Sequence, residues 1–369
     1  MKILHIHESL IIDGLGELMC GLINKLSESN DVSLCIFYDE TPENSLDYKV
    51  SSKVHRILLN SKKNMSLWNI FLNEFKICRL ISLEPYDVVH IHRNFLFYIF
   101  PILLLHNRVK FFYTVHTDAS KEHGRLGKLF WGFEKYCFRK KWIVPITISP
   151  SSQKSFAEVY GCDSFMIPNG IQPPEIIGGT NLVDEYRSKG YNRIFVHVGR
   201  VSPVKNQIVL CNVFHRLSYD YKDIILFLVG DVHDKKLWTE LKKHISGNIV
   251  YLGIRKDVLE FFAKADAMCL PSLYEGLPMT LLESLSVGCI PICSPVGGIV
   301  NVIEDGKNGV LSKSSSEDDF YDAMKRFLTI PQGDLEKMRI AAKNSFSKYD
   351  IHNTAQTYLN LYKKILNQK

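Results

Sequence analysis

Two glutamates, Glu275 and Glu283, lie close together in the largely apolar stretch CLPSLYEGLPMTLLESLSVGCIPI. Pro278 lies between them and favours the first turn of a helix, so we expect a helix to begin there with Glu275 in the preceding loop. The first N–H groups of that helix, at Met279 and Thr280, have no partner within the helix. Together with the helix dipole they form a site that favours an anion such as phosphate.

Acidic side chains beside a phosphate repel it unless they hold another part of the same ligand. Hydroxyl groups are suitable partners, because they donate charge-assisted hydrogen bonds to a carboxylate. A ligand with hydroxyls on both sides of a phosphate is a nucleotide sugar, in which a diphosphate joins a hexose to a ribose. The stretch therefore raises the hypothesis of a nucleotide-sugar site, which the rest of the chain must support.

The composition of the chain limits the classes of protein to consider. The 369 residues are 46% hydrophobic and 23% charged, which is typical of a globular protein with two or three domains. The net charge of +6 is too small for the basic stripe of a nucleic-acid-binding protein, although it is compatible with anionic substrates or lipid surfaces. We expect no nucleic-acid partner.

The cysteines and apolar runs indicate the compartment. Nine scattered cysteines without a CxxC pair indicate neither a disulfide framework nor a zinc site, so we expect a reducing cytoplasm. The amino terminus MKILHIHESLIIDG has no apolar run of signal-peptide length. The longest run, FLFYIFPILLL, is too short to cross a bilayer, and no transmembrane helix is expected.

The elements that must position these side chains are short β-branched runs that alternate with helical patterns, which indicates parallel sheets of βαβ units. Strands are predicted at KILHIH, VSLCIF, VHRILL, DVVHIH, VKFFYTVH and VPITIS, and, after a Pro- and Gly-rich linker at residues 167–181, at RIFVHVG, IILFLVG, NIVYLG, AMCLP and IPIC. The fold class predicted is α/β, with two doubly wound domains and a cleft between them. The tail from Asp350 onward is predicted to be one helix.

Several motifs in this order resemble one enzyme family. EGLPMTLLE has the form E-x7-E, GRVSPVKN has the form GR-x4-K, and PVGGIVNVIEDGKNGVL is similar to the Gly-rich segment that follows them in the family. With IPNGI at the linker and TVH in the first half, the chain resembles the retaining glycosyltransferases of family 4, which have the GT-B fold. The resemblance covers most of the chain.

The resemblance implies a domain organisation and a reaction. Residues 1–172 would form a Rossmann-like domain on the acceptor side, residues 173–349 a Rossmann-like domain that binds the nucleotide sugar, and residues 350–369 a helix that returns to the first domain. The enzyme would transfer a sugar from a nucleoside diphosphate sugar to a glycan or lipid-linked acceptor with retention of configuration. Surface polysaccharide biosynthesis is the expected setting.

The resemblance also implies roles for individual residues. Glu275 would bind hydroxyls of the donor sugar, and Glu283 those of the ribose. Arg200 and Lys205 would bind the diphosphate, and chemistry supports this independently, because the departing diphosphate develops negative charge and no DxD motif supplies metal ligands. We therefore expect no metal and no cofactor. His116, at the end of VKFFYTVH, matches a family histidine near the donor sugar and is predicted to be catalytic.

The predicted donor site includes further residues. Gly16 lies in a loop where the family has paired glycines, although Leu15 replaces the first of them. Asn301 is a second departure, at a position where the family commonly has an acid. The nucleotide base is placed near the backbone of LGIRKD. The remaining donor-binding residues predicted are Ile254, Arg255, Gly276, Leu277, Met279 and Thr280.

Three alternatives remain open. The HIH pairs at His5 and His7 and at His90 and His92 each share one strand face and could chelate a metal, as in a metal-dependent hydrolase with an eightfold barrel. A nucleotide-sugar epimerase would use the same fold without an acceptor. A carbohydrate-binding protein with a degenerate site is disfavoured, because all four charged residues of the predicted donor site are present. These residues are Arg200, Lys205, Glu275 and Glu283.

Residues 125–142, RLGKLFWGFEKYCFRKKW, combine an apolar helix face with many basic residues. One interpretation is a helix packed on its sheet with a solvated basic face. The other is a surface that docks on anionic lipid and makes the enzyme peripheral on the inner face of a membrane, with Trp131, Phe138 and Trp142 as interfacial anchors. The apolar stripe is Leu126, Leu129, Phe130, Phe133 and Cys137, and the basic residues are Arg125, Lys128, Lys135, Arg139, Lys140 and Lys141.

Overall fold

The structure, a computed structural model, describes residues 1–39, 41, 44–61, 67–92, 96–105, 108–120, 125–173, 182–245 and 247–368. The chain divides into two units, each with its own hydrophobic core. Unit 1 comprises Met1–Gln172 and Tyr349–Lys369, and unit 2 comprises Pro173–Lys348. Residues 174–181 of the predicted linker lie outside the described residues.

Unit 1 contains a parallel sheet. Its strands are β1 (Lys2–His7), β2 (Asp31–Ile36), β3 (Val54–Leu58), β4 (Val88–His92), β5 (Lys110–Val115), β6 (Ile143–Thr147) and β7 (Phe165–Met166), in the spatial order β3-β2-β1-β4-β5-β6-β7. Its helices are α1 (Gly14–Leu26), α2 (Leu67–Leu83), α3 (Phe100–Leu105), α4 (Arg125–Arg139) and α5 (Pro150–Tyr160). The strand order reverses between β1 and β4, which is where sheets of this kind bind ligands, at the carboxyl ends of the strands.

Unit 2 repeats this design with a second parallel sheet. Its strands are β8 (Arg193–Val198), β9 (Ile224–Val229), β10 (Ile249–Gly253), β11 (Ala267–Leu270), β12 (Ile290–Cys293) and β13 (Val310–Leu311), in the order β10-β9-β8-β11-β12-β13. The helices are α6 (Leu182–Ser188), α7 (Gln207–Leu217), α8 (Lys235–Leu241), α9 (Val258–Lys264), α10 (Met279–Ser286), α11 (Glu317–Leu328) and α12 (Gln332–Ser345). The order reverses between β8 and β11.

The predicted α/β fold class and all eleven predicted strands are confirmed. The central strands are continuous apolar runs because helices cover both faces, and all six residues of β9 are buried. The sequence did not indicate β7 and β13, since each has two residues and lies at a sheet edge. All nine cysteines are free. No described helix has both the length and the apolar character of a membrane span.

The last helix, α13 (Ile351–Leu366), confirms that the tail is one helix, and it belongs to unit 1. Asp350 caps its amino end, and backbone hydrogen bonds join Ile171 to Tyr349 and Ile351. The IPNGI motif runs beside it. A Cβ on Gly170 would lie 2.4 Å from Oγ1 of Thr354, so this position needs glycine for the close approach.

Helix α4 corrects one prediction. Phe138, named as an interfacial anchor, is 2% exposed and packs edge-on against Phe156 and Tyr160 in the core. Trp131 and Trp142 are exposed, as the docking hypothesis requires. The side chains of residues 125–130, including three of the five residues of the predicted apolar stripe, lie outside the described residues.

Candidate functional site

The strongest cluster of predicted site residues lies at the carboxyl edge of the unit 2 sheet. Lys205 follows β8, and Glu275 follows the neighbouring strand β11. Lys205 Nζ donates to Glu275 Oε1 at 2.6 Å, and Ser272 Oγ donates to the same oxygen at 2.7 Å. Among the described residues both hydrogen bonds of the carboxylate are to Oε1, so Oε2 is the oxygen open to a ligand hydroxyl. The structure thus brings together two residues that lie 70 positions apart.

Two loops hold this ion pair in place. Leu273 N donates to the carbonyl of Val204 at 2.8 Å, which joins the loop after β11 to the turn that carries Lys205. Asn206 adopts the left-handed conformation, with φ 56°, which asparagine tolerates better than most residues. Its Nδ2 donates to the carbonyl of Pro271 at 3.2 Å. One backbone bond and one side-chain bond thus join the loop that carries Lys205 to the loop that carries Glu275.

The Gly-rich segment PVGG contacts the loop that carries Glu275 and Gly276 and supports it. Gly298 N donates to the carbonyl of Gly276 at 2.6 Å. Gly297 has φ +54°, and a Cβ there would lie 1.6 Å from the carbonyl oxygen of Glu275. No other residue fits between these two loops without moving Glu275.

Helix α10 begins beside the ion pair. It starts at Met279, one residue later than predicted, because Pro278 is the N-cap with ψ 126°. Met279 and Thr280 in the first turn have no earlier carbonyl to which their N–H groups could donate. Leu277 is buried before the helix, and Glu283 is half-buried one turn into it. The predicted anion site at the helix start is thus adjacent to Glu275.

Three buried polar atoms at this edge have no hydrogen-bond partner among the described residues. They are His197 Nε2, Thr280 Oγ1 and Ser294 Oγ. His197 Nδ1 donates to the carbonyl of Cys269 at 2.9 Å, so Nε2 carries a lone pair, and burial lowers the pKa of His197 to about 4. His197 lies on β8 and Ser294 directly follows β12, the two strands on either side of β11 in the sheet, and Thr280 lies in the first turn of α10. Buried polar atoms without partners are uncommon in folded proteins and are often satisfied by a ligand.

The other predicted donor residues of unit 2 are more peripheral. Arg200 is exposed, and its carbonyl accepts a hydrogen bond from Gln207. Ile254 is half-exposed. The guanidinium of Arg255 makes a two-point contact with Asp257, which raises the pKa of Arg255 and lowers that of Asp257. Any contact of Arg255 with a nucleotide would therefore use its backbone.

Unit 1 carries histidines near the point where its own strand order reverses, between β1 and β4. We call this position in each sheet the switch point. His5 and His90 are paired residues of β1 and β4, His92 lies two positions further on β4, and His116 directly follows β5. His5 Nδ1 is 3.0 Å from His92 Nε2, and His92 Nδ1 is 3.1 Å from His116 Nε2. Burial lowers the pKa of His5 to about 3 and those of His90 and His92 well below the usual value, so these three are neutral.

The metal-hydrolase alternative is wrong, because the chain forms two open sheets and not an eightfold barrel. Ligand atoms of His5, His90 and His92 do lie within 4.8 Å of one another. However, His90 bonds to the hydroxyls of Tyr362 and Thr114 at 2.6 and 2.7 Å. Both nitrogens of His92 are also engaged, so a metal would have to break hydrogen bonds.

Gly16 has a clear packing function. Its N–H donates to the N-cap Asp13 at 2.8 Å, and a Cβ would lie 2.2 Å from the carbonyl oxygen of Ile11. Its part in donor binding stays a prediction.

Two residues of the unit 2 site, Ser272 and Asn206, were not predicted from the sequence, although Asn206 directly follows Lys205 in the GRVSPVKN motif. The signal available in the sequence was the residue type, because asparagine tolerates a left-handed backbone better than most residues do.

Two family models together match most of the chain. "Glycosyltransferase Family 4" matches residues 12–174, and "Glycosyl transferases group 1" matches residues 180–345. The chain is 27% identical to an uncharacterized glycosyltransferase of Methanocaldococcus jannaschii, over 74% of this chain and 70% of that protein. It is 24% identical to the UDP-Gal:alpha-D-GlcNAc-diphosphoundecaprenol alpha-1,3-galactosyltransferase of Escherichia coli, over 78% of this chain and 76% of that enzyme.

Solved structures with the same fold cover the whole chain. A glycosyltransferase from Rickettsia africae superposes with a TM-score of 0.82 at 17% identity, covering 100% of this chain and 99% of its own. HepE from Anabaena, solved in complex with UDP, superposes with a TM-score of 0.81 at 18% identity, covering 99% and 100%. With the matched families and the two doubly wound sheets, these similarities identify the protein as a glycosyltransferase with the GT-B fold.

Proposed function

We propose that the protein transfers a sugar from a nucleoside diphosphate sugar to a glycan or lipid-linked acceptor, with retention of anomeric configuration. The observation that carries this proposal is the Lys205–Glu275 pair beside the start of α10. A cation for the diphosphate, an acid for the sugar hydroxyls and helix N–H groups for phosphate lie in one place, as a nucleotide sugar requires.

The roles of the donor-site residues follow from their chemistry. Glu275 holds hydroxyls of the transferred sugar through Oε2, Glu283 holds the ribose, and Arg200 and Lys205 hold the diphosphate. Met279 and Thr280 donate backbone N–H groups to the same diphosphate, beside Gly276 and Leu277. Ile254 and Arg255 contact the base. For Gly16 and His116 of unit 1 we keep the roles that the family resemblance implies, donor binding for Gly16 and catalysis for His116.

The reaction is a front-side displacement. The bond between the anomeric carbon and the diphosphate oxygen breaks, and the acceptor oxygen bonds to the same face of that carbon. The leaving diphosphate takes the acceptor proton. Lys205 and Arg200 stabilise the negative charge that develops, and they supply the function that Mg²⁺ has in enzymes with a metal-bound diphosphate. We therefore propose a metal-independent reaction.

A donor panel tests this function. The purified protein is incubated with UDP-, GDP- and TDP-sugars and candidate acceptors, and release of the nucleoside diphosphate and the product are followed with and without EDTA. Activity that survives EDTA, with the sugar joined to the acceptor in the original configuration, supports the proposal. Loss in EDTA restored by Mg²⁺ or Mn²⁺ contradicts metal independence. An epimerised sugar without an acceptor product would favour the epimerase.

A lipid-linked acceptor and a role in surface polysaccharide biosynthesis are supported by the relatives. The Escherichia coli relative is named for transfer to a diphosphoundecaprenol-linked sugar. A Campylobacter jejuni relative, 30% identical over 38% of this chain and 37% of its own, is named for a diphospho-undecaprenol-linked acceptor as well. An acceptor on such a carrier is held at a membrane, so the enzyme must reach the lipid surface.

A docking surface in unit 1 suits this need. Helices α2 and α4 contact the same short turn at Leu96–Ile99, so they lie on one side of the sheet. On α2, Trp68, Phe71 and Phe75 are 71%, 59% and 57% exposed at helical spacing, and the exposed Arg79 follows one turn later. On α4 and the turn after it, the exposed aromatic and basic residues whose side chains are described are Trp131, Tyr136, Arg139, Lys140, Lys141 and Trp142.

We propose that this surface docks on an anionic bilayer, because aromatic side chains enter the interface while each basic residue near it contributes about 1 kcal/mol. Vesicle sedimentation tests this. Binding should require anionic lipid, weaken with salt, and fall when Arg139, Lys140 and Lys141 become Ser or when Trp68 and Phe71 become Ser. Tyr219→Ser, at a 79% exposed tyrosine of unit 2, is the control. Equal behaviour with neutral and anionic vesicles would contradict docking.

A further inference from the structure

Ser272 lies two residues beyond the end of β11 and bonds to Glu275. Its side chain is buried, at 0% exposure, and its Oγ lies 2.7 Å from Glu275 Oε1. An ionised carboxylate accepts hydrogen bonds and donates none, so the serine hydroxyl is the donor. In the part of the chain that the structure describes, the hydroxyl of Ser272 makes no other hydrogen bond. Ser272 is not among the residues proposed to touch the donor, so its hydroxyl serves Glu275 alone.

The backbone on both sides of Ser272 is tied to the turn that carries Lys205. The carbonyl before it accepts from Asn206 Nδ2 at 3.2 Å, and the N–H after it donates to the carbonyl of Val204 at 2.8 Å. A serine side chain is short, so a fixed backbone leaves its oxygen only a few staggered positions. Lysine has a flexible four-carbon stem. Ser272 is therefore the more rigid of the two donors to Glu275.

Two donors orient the carboxylate better than one can. The last torsion of a glutamate side chain has broad minima, so the carboxylate plane is only weakly restricted by itself. Lys205 Nζ donates to Oε1 at 2.6 Å from the loop after β8, and Ser272 donates to the same oxygen from the loop after β11. Hydrogen bonds to such an oxygen prefer the plane of its group. The two donors thus define that plane and the position of Oε2.

A bound diphosphate competes for one of these two donors and not for the other. Lys205 is charged, and a diphosphate draws its ammonium group away from Glu275. Ser272 is neutral and buried, so it stays on Oε1. We propose that Ser272 is a positioning residue, which keeps the Glu275 carboxylate oriented toward the sugar hydroxyls while Lys205 turns to the diphosphate. This rests on the proposed function, in which Glu275 holds the sugar and Lys205 the diphosphate.

The binding of two ligands separates this role from a purely structural one. The purified full chain is titrated in a calorimeter with the sugar nucleotide that the donor panel identifies and with the matching nucleoside diphosphate. Ser272→Ala should weaken binding of the sugar nucleotide about tenfold, the scale of one hydrogen bond to a charged group, and change binding of the bare diphosphate less than about twofold.

Ser284→Ala is the matched control for the loss of a buried hydroxyl. Ser284 is also 0% exposed and belongs to unit 2, but its Oγ donates to the carbonyl of Leu281 in its own helix at 2.8 Å. Its substitution should change neither affinity. Equal weakening of both ligands by Ser272→Ala would overturn the proposal, because the bare diphosphate has no sugar for Glu275 to hold.

A double-mutant cycle shows whether Ser272 acts through Glu275. When position 275 is already alanine, Ser272→Ala should have no further effect on binding of the sugar nucleotide. The same loss of affinity in the wild-type and Glu275→Ala backgrounds would show that Ser272 acts by another route, and it would overturn the proposal.

Crystal structures distinguish failure of this proposal from failure of the proposed function, since they need no ligand. In ligand-free Ser272→Ala the Glu275 carboxylate should be rotated or disordered, and in the wild type and Ser284→Ala it should be ordered. An unchanged Glu275 in Ser272→Ala would overturn the role of Ser272. So would a wild-type crystal, with or without the sugar nucleotide, in which Ser272 Oγ lies beyond hydrogen-bonding distance of Glu275, even if no variant folds. An orientation that depends on Ser272, together with no transfer from any donor, would support the positioning and overturn only the proposed function.

Discussion

The two sheets place opposite kinds of chemistry at equivalent positions. At the switch point of unit 2, Lys205 and Glu275 are charged and stand on loops beyond the ends of β8 and β11. At the switch point of unit 1, His5 and His92 are neutral and lie within β1 and β4. A charged pair on loops can exchange partners when a ligand arrives. Neutral rings inside strands cannot move, so their contribution is fixed when the protein folds.

The largest difference between the two regions should appear on acidification. His5, His90 and His92 of unit 1 stay neutral when folded but protonate near pH 6.5 when unfolded, so the unfolded state binds more protons below that pH. Their stability contribution is complete above pH 6.5 and is lost as the pH falls toward the folded values, about 3 for His5. Each histidine loses about 1.4 kcal/mol per pH unit.

Unit 2 has one such fully buried histidine among the described residues, His197, with a window from pH 6.5 to about 4. Glu134 in unit 1 acts in the opposite sense, because burial raises its pKa to about 7, and it offsets about one histidine between pH 7 and 4.5. Unit 1 should therefore lose more protection than unit 2 between pH 7 and 5, as measured by amide hydrogen exchange corrected for intrinsic rates. His5→Gln should reduce the loss, and His55→Gln, at an exposed site, should not. Equal loss in both units would contradict the comparison.

Gly297 tests how far the unit 2 site depends on its backbone. Gly297→Ala should slow transfer more than 100-fold, about 2.7 kcal/mol or more, because its Cβ would displace the Glu275 carbonyl. Gly306→Ala is the matched control, since Gly306 also has positive φ, +78°, but a Cβ there meets no atom within 4 Å. That variant should lose about 1 kcal/mol of stability and keep its activity. Similar effects of the two substitutions would show that only backbone strain matters.

The charge pair itself gives the smallest of these effects. Glu275→Gln should slow transfer by roughly 10 to 150-fold, since it weakens charge-assisted hydrogen bonds of about 1.5 to 3 kcal/mol. The free nucleoside diphosphate should bind at least as tightly in calorimetry, because Lys205 loses its anionic partner. Glu304→Gln breaks a comparable pair with the exposed Lys307 and should change neither quantity. Equal weakening of the bare nucleotide and the sugar nucleotide would show that Glu275 does not select the sugar.

Sequence reasoning succeeded where chemistry and periodicity are local. Each long strand is an apolar run bounded by turn residues. Lys205 and Glu275 each lie in the loop after such a run, so a shared sheet edge could be expected. Prediction from the sequence failed where a contact depends on the register between strands that are distant in the chain. The bond between His5 and His92 joins residues 87 positions apart, and no pattern in either strand reports it.

The second limit of prediction from the sequence was the burial of individual side chains on helices. The pattern of α4 made Phe138 a candidate for the lipid surface, but only the packing of α5 against it decides that this ring is in the core. The exposed aromatic residues of α2 were missed for the converse reason. An apolar residue at helical spacing is predicted to face a sheet, and its exposure depends on which neighbours the fold supplies.

The position of α13 has a consequence for the order of folding during synthesis. Tyr362 on α13 holds His90 of β4, yet all of unit 2 lies between them in the chain. At about 5 to 20 residues per second, a ribosome needs roughly 10 to 40 s to extend the chain from the end of β7 to the end of α13. Throughout that time β4 and β5 lack the helix that covers His90 and Thr114. Unit 2 is thus synthesised after most of unit 1, but it can complete its fold first. The nascent sheet of unit 1 must stay protected from aggregation until α13 emerges.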